Sequence, residues 1–219
     1  MGTVSDAMLD ALAVLMPVEC VGCGAPDRSV CSACRASLRA ELRQHALADG
    51  TPVLSALDYS GVARAAILAF KEQGRTDATR ALSAPLRQAL CAALESCGTP
   101  ATELVCVPTS RSSYRRRGYD PVRLLVRRSG FRTSGLLRHS RRTEHQKALD
   151  RESRGENVVG SLAARVQLTG REVIVVDDVM TTGATLTEAV RAIREAGGRV
   201  AMAVTLAHTA RRFNTHRTN

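Results

Sequence analysis

The chain has no tryptophan, and aromatic residues make up only 3% of its 219 positions. Platforms for stacking the bases of a single-stranded nucleic acid are therefore scarce. No apolar run is long enough to cross a bilayer. The apolar stretch from Met8 to Met16 carries Asp6 and Asp10 where a secretory leader would be positive, which favours a short amphipathic helix and a cytoplasmic protein. No Gly-Lys step precedes a Ser or Thr, so a Walker-type phosphate loop is excluded. There is also no Ser/His/Asp order with a hydrolase context, no helix-turn-helix pattern, no internal repeat and no low-complexity tract. Cysteine is present but odd in number, at seven, in a chain with no export signal. That argues against a disulfide framework.

What is present concentrates in Val173-Ile-Val-Val-Asp177-Asp178-Val-Met-Thr181-Thr182-Gly183-Ala184-Thr185. Four β-branched apolar residues suit a strand buried on both faces, as in a parallel sheet. Two adjacent carboxylates follow, then a small hydroxyl-rich turn, then a helical pattern in which Leu186, Ala189, Val190 and Ile193 share one face. Thr185 and Glu188 have the spacing of a capping box, and Gly197-Gly198 supplies a stop. Such a turn presents backbone N–H groups and hydroxyls at a helix N-terminus, where an anion, above all a phosphate, is favoured. The carboxylates would repel a phosphate. They are better placed to accept hydrogen bonds from sugar hydroxyls, as an acidic residue does in dinucleotide sites. Phosphate and sugar read by one loop suggest a sugar phosphate.

On these residues the segment resembles the phosphoribosyl pyrophosphate (PRPP) loop of type I phosphoribosyltransferases. The resemblance implies that Asp177 and Asp178 hold the ribose hydroxyls while Thr181, Thr182, Gly183, Ala184 and Thr185 wrap the 5′-phosphate. The plain alternative is an ordinary strand-to-helix turn with an exposed acidic end.

Near the N-terminus, Cys20-Val-Gly-Cys23 and Cys31-Ser-Ala-Cys34 form two Cys-x-x-Cys knuckles separated by turn residues. This is the usual way to place four thiolates around a tetrahedral Zn²⁺, and with no open ligand position the site reads as structural. The segment is poor in apolar residues, so the metal would supply its folding energy. The alternatives are reduced free thiols or a redox pair. Cys91, Cys97 and Cys106 lie in helical or strand contexts as small core residues.

The net charge of +10 is localised. Residues 111–154 hold 14 Lys+Arg and 4 Asp+Glu, an excess of 14 − 4 = +10, and the rest of the chain is neutral. Strand and helix patterns alternate. A helix is expected over 1–16, a helix trailing the cysteine module from Arg35 to Ala46, a strand over Val53–Tyr59 and a helix from Gly61 to Phe70. A second helix runs from Thr76 to Ser96, with Pro85 marking a break or a new start. Further strands are expected at Leu104–Val107, Gly135–Arg138, within Val158–Leu168 and at Val200–Leu206, with a helix over Pro121–Arg128 and a long loop from Thr143 to Gly155. Strands alternating with helices imply an α/β parallel sheet. The expected division is residues 1–50 as N-terminal helix and zinc module, 51–210 as the α/β domain and 211–219 as a tail.

The order of motifs adds a second resemblance. Cysteine pairs after Met16-Pro17, then Tyr59-Ser-Gly61, Phe70-Lys71, Val107-Pro108-Thr109 with Arg111, Arg115-Arg-Arg117-Gly118-Tyr119-Asp120, and finally Arg138, Arg142-Thr143, Gln146, Arg154 and Asn157 resemble the ComF/GntX family. The likeness runs from about Pro17 to Ala207. It implies a type I phosphoribosyltransferase-like parallel sheet flanked by helices, with a small N-terminal four-cysteine zinc module and an association with bacterial competence. It also makes the turn of Thr109, Ser110 and Arg111 the pyrophosphate loop. The segment from Thr143 to Asn157, with Gln146, Arg151 and Arg154, takes the place of a flexible loop closing over the site.

Two functions follow. One is an enzyme that uses PRPP with Mg²⁺, Asp177, Asp178 and Arg111 serving the chemistry, and transfers ribose 5-phosphate to an acceptor the sequence does not specify. The other retains the fold but acts in DNA uptake. There the basic segment would track the phosphate backbone of single-stranded DNA, and the zinc module would dock a partner such as a competence helicase. The retained acidic pair favours the first, because carboxylates beside a phosphate loop repel a polyanion. Oligomeric state is not encoded legibly.

Overall fold

The computed structural model describes residues 18–98, 101–140 and 158–209. The expected helix over 1–16, the loop from Thr143 to Gly155 and the tail over 211–219 lie outside them. Within the described residues a five-stranded sheet is built from β1 (Arg43–Ala46), β2 (Pro52–Asp58), β3 (Glu103–Cys106), β6 (Glu172–Met180) and β7 (Arg199–His208), in the order β1-β2-β7-β6-β3. Strands β2, β7, β6 and β3 are mutually parallel, and β1 is an antiparallel edge. A two-stranded antiparallel ribbon, β4 (Leu137–His139) with β5 (Leu162–Ala164), stands apart.

The apolar run of β6 behaves as a doubly buried strand should. Val173, Ile174, Val175 and Val176 are each fully buried, and the pleat sends them alternately to two cores. Ile174 and Val176 join Leu104, Cys106, Leu54 and Val204 on one face. Val173 and Val175 join Val105, Val53 and Ala203 on the other. The first face is covered by α2 (Gly61–Glu72), α3 (Thr79–Cys97) and α5 (Pro121–Arg128), the second by α6 (Ala184–Glu195) and the β4–β5 ribbon. The fold is thus the expected α/β architecture with a mostly parallel central sheet and flanking helices.

Three local expectations are corrected. The chain after Cys34 does not continue as a helix from Arg35 to Ala46. It forms only the short α1 (Ser32–Ala36) and then β1, whose register Arg43↔Ser55 to Ala46↔Pro52 extends the main sheet. Pairing with a ready edge outweighs the helical propensity of Leu42 to Ala46. Pro85 neither breaks nor starts a helix: it lies inside α3, buried, where packing against the sheet offsets the lost backbone hydrogen bond. A helix absent from the sequence reading, α4 (Arg111–Arg117), starts where the Ser110 hydroxyl accepts from the Ser113 N–H at 3.2 Å.

Candidate functional site

Parallel strands deliver their following loops to one edge of the sheet. Because β3 lies beside β6, with Cys106 opposite Val176 and the Val107 N–H donating to the Val176 carbonyl at 2.9 Å, the Pro108–Ser110 turn rises next to Asp177. The His139 ring nitrogen lies 2.9 Å from the Pro108 carbonyl and ties that turn to β4. The strand β6 does not end at the carboxylates but continues to Met180, with Asp177 in register with Thr205 of β7. Asp177 and Asp178 are therefore held by strand pairing to β7, one step beyond the last β3 pair, and not by a loop.

Thr181, Thr182, Ala184 and Thr185 are exposed, while Gly183 is buried. Gly183 has φ +83°, and a Cβ there would come within 3.0 Å of Leu47 Cδ2, so the turn needs glycine both for its backbone and for the approach of β1. The α6 N-terminus that follows has no side-chain cap on Gly183. The expected capping box is not formed. Since the helix begins at Ala184, Thr185 is already inside it and cannot cap. Glu188 is 2% exposed and faces the β4–β5 ribbon, accepting from the Leu162 N–H at 2.8 Å and from Arg191 at 2.6 and 2.8 Å. Burial alone would raise the Glu188 carboxyl, but Arg191 and the N–H groups of Leu162 and Gly160 hold it below the usual carboxylate range.

The residue the sequence left undecided, Lys71, proves central. At the end of α2 its Nζ lies 3.0 Å from Asp178 Oδ2, with that carboxylate side chain only 11% exposed. The α2 terminus is clamped by the Arg-Arg-Arg-Gly-Tyr stretch. Arg117 Nε donates to the Lys71 carbonyl at 2.5 Å, Arg117 and Arg116 pair with Glu72, and the Tyr119 hydroxyl donates to the Phe70 carbonyl. Arg117, singled out by clustering, is thus a helix-end clamp that fixes Lys71. Arg111, at the first position of α4, is exposed at the same edge. Asp178 donates its N–H to Asp177 Oδ1 at 2.8 Å. Burial, and next the Asp178 charge, push the Asp177 carboxyl up to about 8, against the opposing pull of that N–H and of Lys71. The edge therefore offers two adjacent carboxyls to vicinal hydroxyls.

The cysteine module presents a second site. Sγ atoms of Cys20, Cys23, Cys31 and Cys34 all lie within 4.8 Å of one another, and Cys23 and Cys31 are 3.6 Å apart. Thiolates on a tetrahedral zinc with Zn–S near 2.3 Å would be roughly 3.8 Å apart, so the donor set and spacing fit Zn²⁺. Backbone N–H groups point at sulfur, from Cys31 to Cys20 at 3.3 Å and from Cys34 to Cys31 at 3.5 Å. Burial opposes ionisation of Cys20, yet the N–H groups of Cys31, Cys23 and Gly22 draw it down to about 6, while Cys34 is pushed up, first by burial. Gly22 leaves room that a side chain would fill, since its Cβ would sit 2.7 Å from Cys34 Sγ. Of the other cysteines, Cys106 is buried and Cys91 and Cys97 are half-buried, all free.

A parallel sheet with an acidic pair and two polar turns at its carboxyl edge defines a class of open α/β protein whose ligand site is expected at that edge. Comparison with known proteins sharpens that class. Residues 116–217 match the family model described as phosphoribosyl transferase domain. Orotate phosphoribosyltransferase of Pyrobaculum islandicum is 51% identical over 49 residues, covering 22% of this chain and 25% of that protein. The chain thus spans about a quarter of the length of the curated relative it matches. Both matches support a type I phosphoribosyltransferase family. Among the described residues no helix is long and apolar enough to cross a membrane.

Proposed function

We propose that the protein binds PRPP at the carboxyl edge of the sheet and transfers its ribose 5-phosphate to an acceptor, as a ComF-like member of the phosphoribosyltransferases. The observation that carries this reading is the joint position of the acidic pair and the two turns: Asp177 and Asp178 on β6, Thr181–Thr185 at the α6 N-terminus, and Thr109–Ser110 on the neighbouring strand. In this reading Asp177 and Asp178 take the ribose hydroxyls and Thr181–Thr185 the 5′-phosphate. Thr109, Ser110 and Arg111 take the pyrophosphate. The bond from the anomeric carbon to pyrophosphate breaks as one to the acceptor forms. Mg²⁺, carried on the pyrophosphate oxygens, would neutralise the departing charge. The four cysteines would hold a structural Zn²⁺.

The test is calorimetric titration with PRPP and Mg²⁺, with Asp177→Asn/Asp178→Asn as the control. Saturable binding lost in the variant supports the site; equal binding by both proteins overturns it. Orotate heads the acceptor screen, because the matching relative is named for it, with pyrophosphate release as the readout.

A nucleic-acid role for residues 111–154 is the second reading, favoured by exposed Arg111, Arg115, Arg127 and Arg128. It is weaker because Arg116 and Arg117 are engaged by Glu72. If it holds, neutralising Arg115, Arg127 and Arg128 lowers the salt slope of DNA binding by about one per lost phosphate contact.

A further inference from the structure

The sheet edge is not the only concave surface with a chemical signature. A groove of about 960 Å³ runs between the cysteine module, the first half of α3 and the end of α5. Arginines reach it from all three: Arg28, Arg35 and Arg39 from the module, Arg80 and Arg87 from α3, Arg128 from α5. Among the described residues, no aspartate or glutamate lines it. Several arginines elsewhere are neutralised locally: Arg117 by Glu72, Arg171 by Glu103, Arg191 by Glu188 and Arg194 by Asp49. Among the described residues Arg35, Arg39, Arg80 and Arg128 make no ion pair, and all four are exposed. Arg87 is braced, donating to the Ser129 carbonyl at 3.1 Å with its guanidinium 6.0 Å from the Phe131 ring centre.

The floor between these arginines is apolar, formed by Val30, Leu38, Ala81 and Pro85 with Ala36 and Ala84 at its sides. An apolar floor under a rim of guanidiniums, of which Arg35, Arg39, Arg80 and Arg128 make no ion pair among the described residues, selects against two polyanions. A nucleic-acid backbone would satisfy the rim but has nothing to fill the floor, and no aromatic residue lines the groove to stack its bases. A small polyphosphate would leave most of the floor in water. A peptide segment with apolar side chains flanked by carboxylates satisfies both, because guanidinium pairs carboxylate through two parallel hydrogen bonds. Arg80 and Arg87 are two helical turns apart, about 10.5 Å along α3, which suits carboxylates two turns apart on a partner helix.

We propose that this groove docks an acidic, amphipathic peptide segment of a partner protein, at a site separate from the sheet edge. The probe is a fluorescein-labelled synthetic peptide of glutamate and leucine, followed by anisotropy with the full chain. An all-glutamate peptide, a thymidine oligonucleotide and tripolyphosphate serve as comparison ligands. Arg35→Glu/Arg80→Glu/Arg128→Glu is expected to weaken the glutamate–leucine peptide about tenfold or more. Arg64→Glu with Arg127→Glu, exposed charges outside the groove, is expected to change it by less than about threefold. Zinc content and thermal melting check folding, and the corresponding glutamine variants replace any reversal that does not fold. Equal weakening by both sets would overturn the proposal, since net charge alone would then explain binding. So would equal affinity for the all-glutamate peptide. Preferential groove-dependent binding of the oligonucleotide or tripolyphosphate would assign the groove to phosphate instead.

Discussion

The four thiols of the N-terminal module and the two carboxylates of the sheet edge are both clusters of groups that repel one another once ionised, and the molecule resolves them in opposite ways. The carboxylates sit on a strand paired on both sides, and the protein supplies its own cation: Lys71 Nζ lies 3.0 Å from Asp178. The thiols sit on two short knuckles with few apolar side chains of their own, and the hydrogen bonds described there run between sulfur and sulfur or from backbone N–H to sulfur. The chain supplies the cation of one cluster itself; the other would take its cation, Zn²⁺, from outside. Ligand binding is thus separable from folding at the sheet edge and inseparable from it in the module.

Removing the external cation should have the largest effect. Chelation of zinc, or Cys34→Ser, is expected to unravel the module and expose Val30 and Leu38, which pack into the core beside α2 and α3. The cost should be roughly 4–5 kcal/mol or more, a fall in Tm of about 10 °C or more. A folded preparation without bound metal, whose melting is unchanged by chelator, would remove the contrast altogether.

Glu188 supplies the control, an acid whose cation is permanent and fully positioned. Its carboxylate is 2% exposed and bound to Arg191 and the Leu162 N–H. Glu188→Ala would leave Arg191 only Glu195 and the Leu162 carbonyl, and leave the Leu162 amide unsatisfied. It should cost roughly 3–5 kcal/mol in urea unfolding, with PRPP affinity in the surviving folded fraction nearly unchanged. A cost below about 1 kcal/mol would mean that water substitutes for the carboxylate.

How much of this was legible depended on whether the chemistry is local in sequence. The cysteine knuckles, the β6 run and its acidic pair, and the α6 face were readable because each is one continuous segment with a fixed period. Glu188 was misassigned because its spacing from Thr185 imitates a cap, whereas its partner, the Leu162 N–H, lies 26 residues away. Lys71 could not be placed, since its carboxylate lies on a strand about a hundred positions later in the chain. The strand β1 was hidden for the same reason: its partner edge exists only once β2 has formed. Arg117 is one of 14 basic residues in 111–154, and its use as a clamp on α2 required knowing that α2 ends beside α4.

At the sheet edge itself, Asp177→Asn/Asp178→Asn should weaken PRPP about 100-fold, since the hydrogen bonds of two carboxyls to sugar hydroxyls, at roughly 0.5–3 kcal/mol each, are at stake. Stability should move the other way. Burial and the neighbouring carboxylate push Asp177 up to about 8. Below about pH 4 the carboxyl is protonated folded or unfolded. Between that pH and about 8 the unfolded chain releases the proton while the folded protein keeps it, so this group makes stability fall as pH rises. The double variant should lose that slope and be the more stable protein at about pH 8. A steeper slope in the variant would mean that another group sets the dependence.

The smallest effect is the most discriminating, because it turns the self-sufficient cluster into one that lacks its cation. Lys71→Met keeps the aliphatic stem and deletes only the ammonium 3.0 Å from Asp178. The Arg117 and Tyr119 bonds to α2 end on the carbonyls of Lys71 and Phe70, so the substitution leaves the helix end clamped. Lys71 is one of the groups holding the Asp177 carboxyl down, so its loss moves that carboxyl further up and extends the fall in stability towards alkaline pH. Urea unfolding should show a loss of about 1–2 kcal/mol at about pH 9 and much less at about pH 5. Millimolar Mg²⁺ should not restore it if the cluster binds cations only with a sugar phosphate present. Restoration by Mg²⁺ alone would show that the carboxylates, once deprived of Lys71, act as a metal site in their own right, and the difference between the two clusters would then reduce to which cation each one holds.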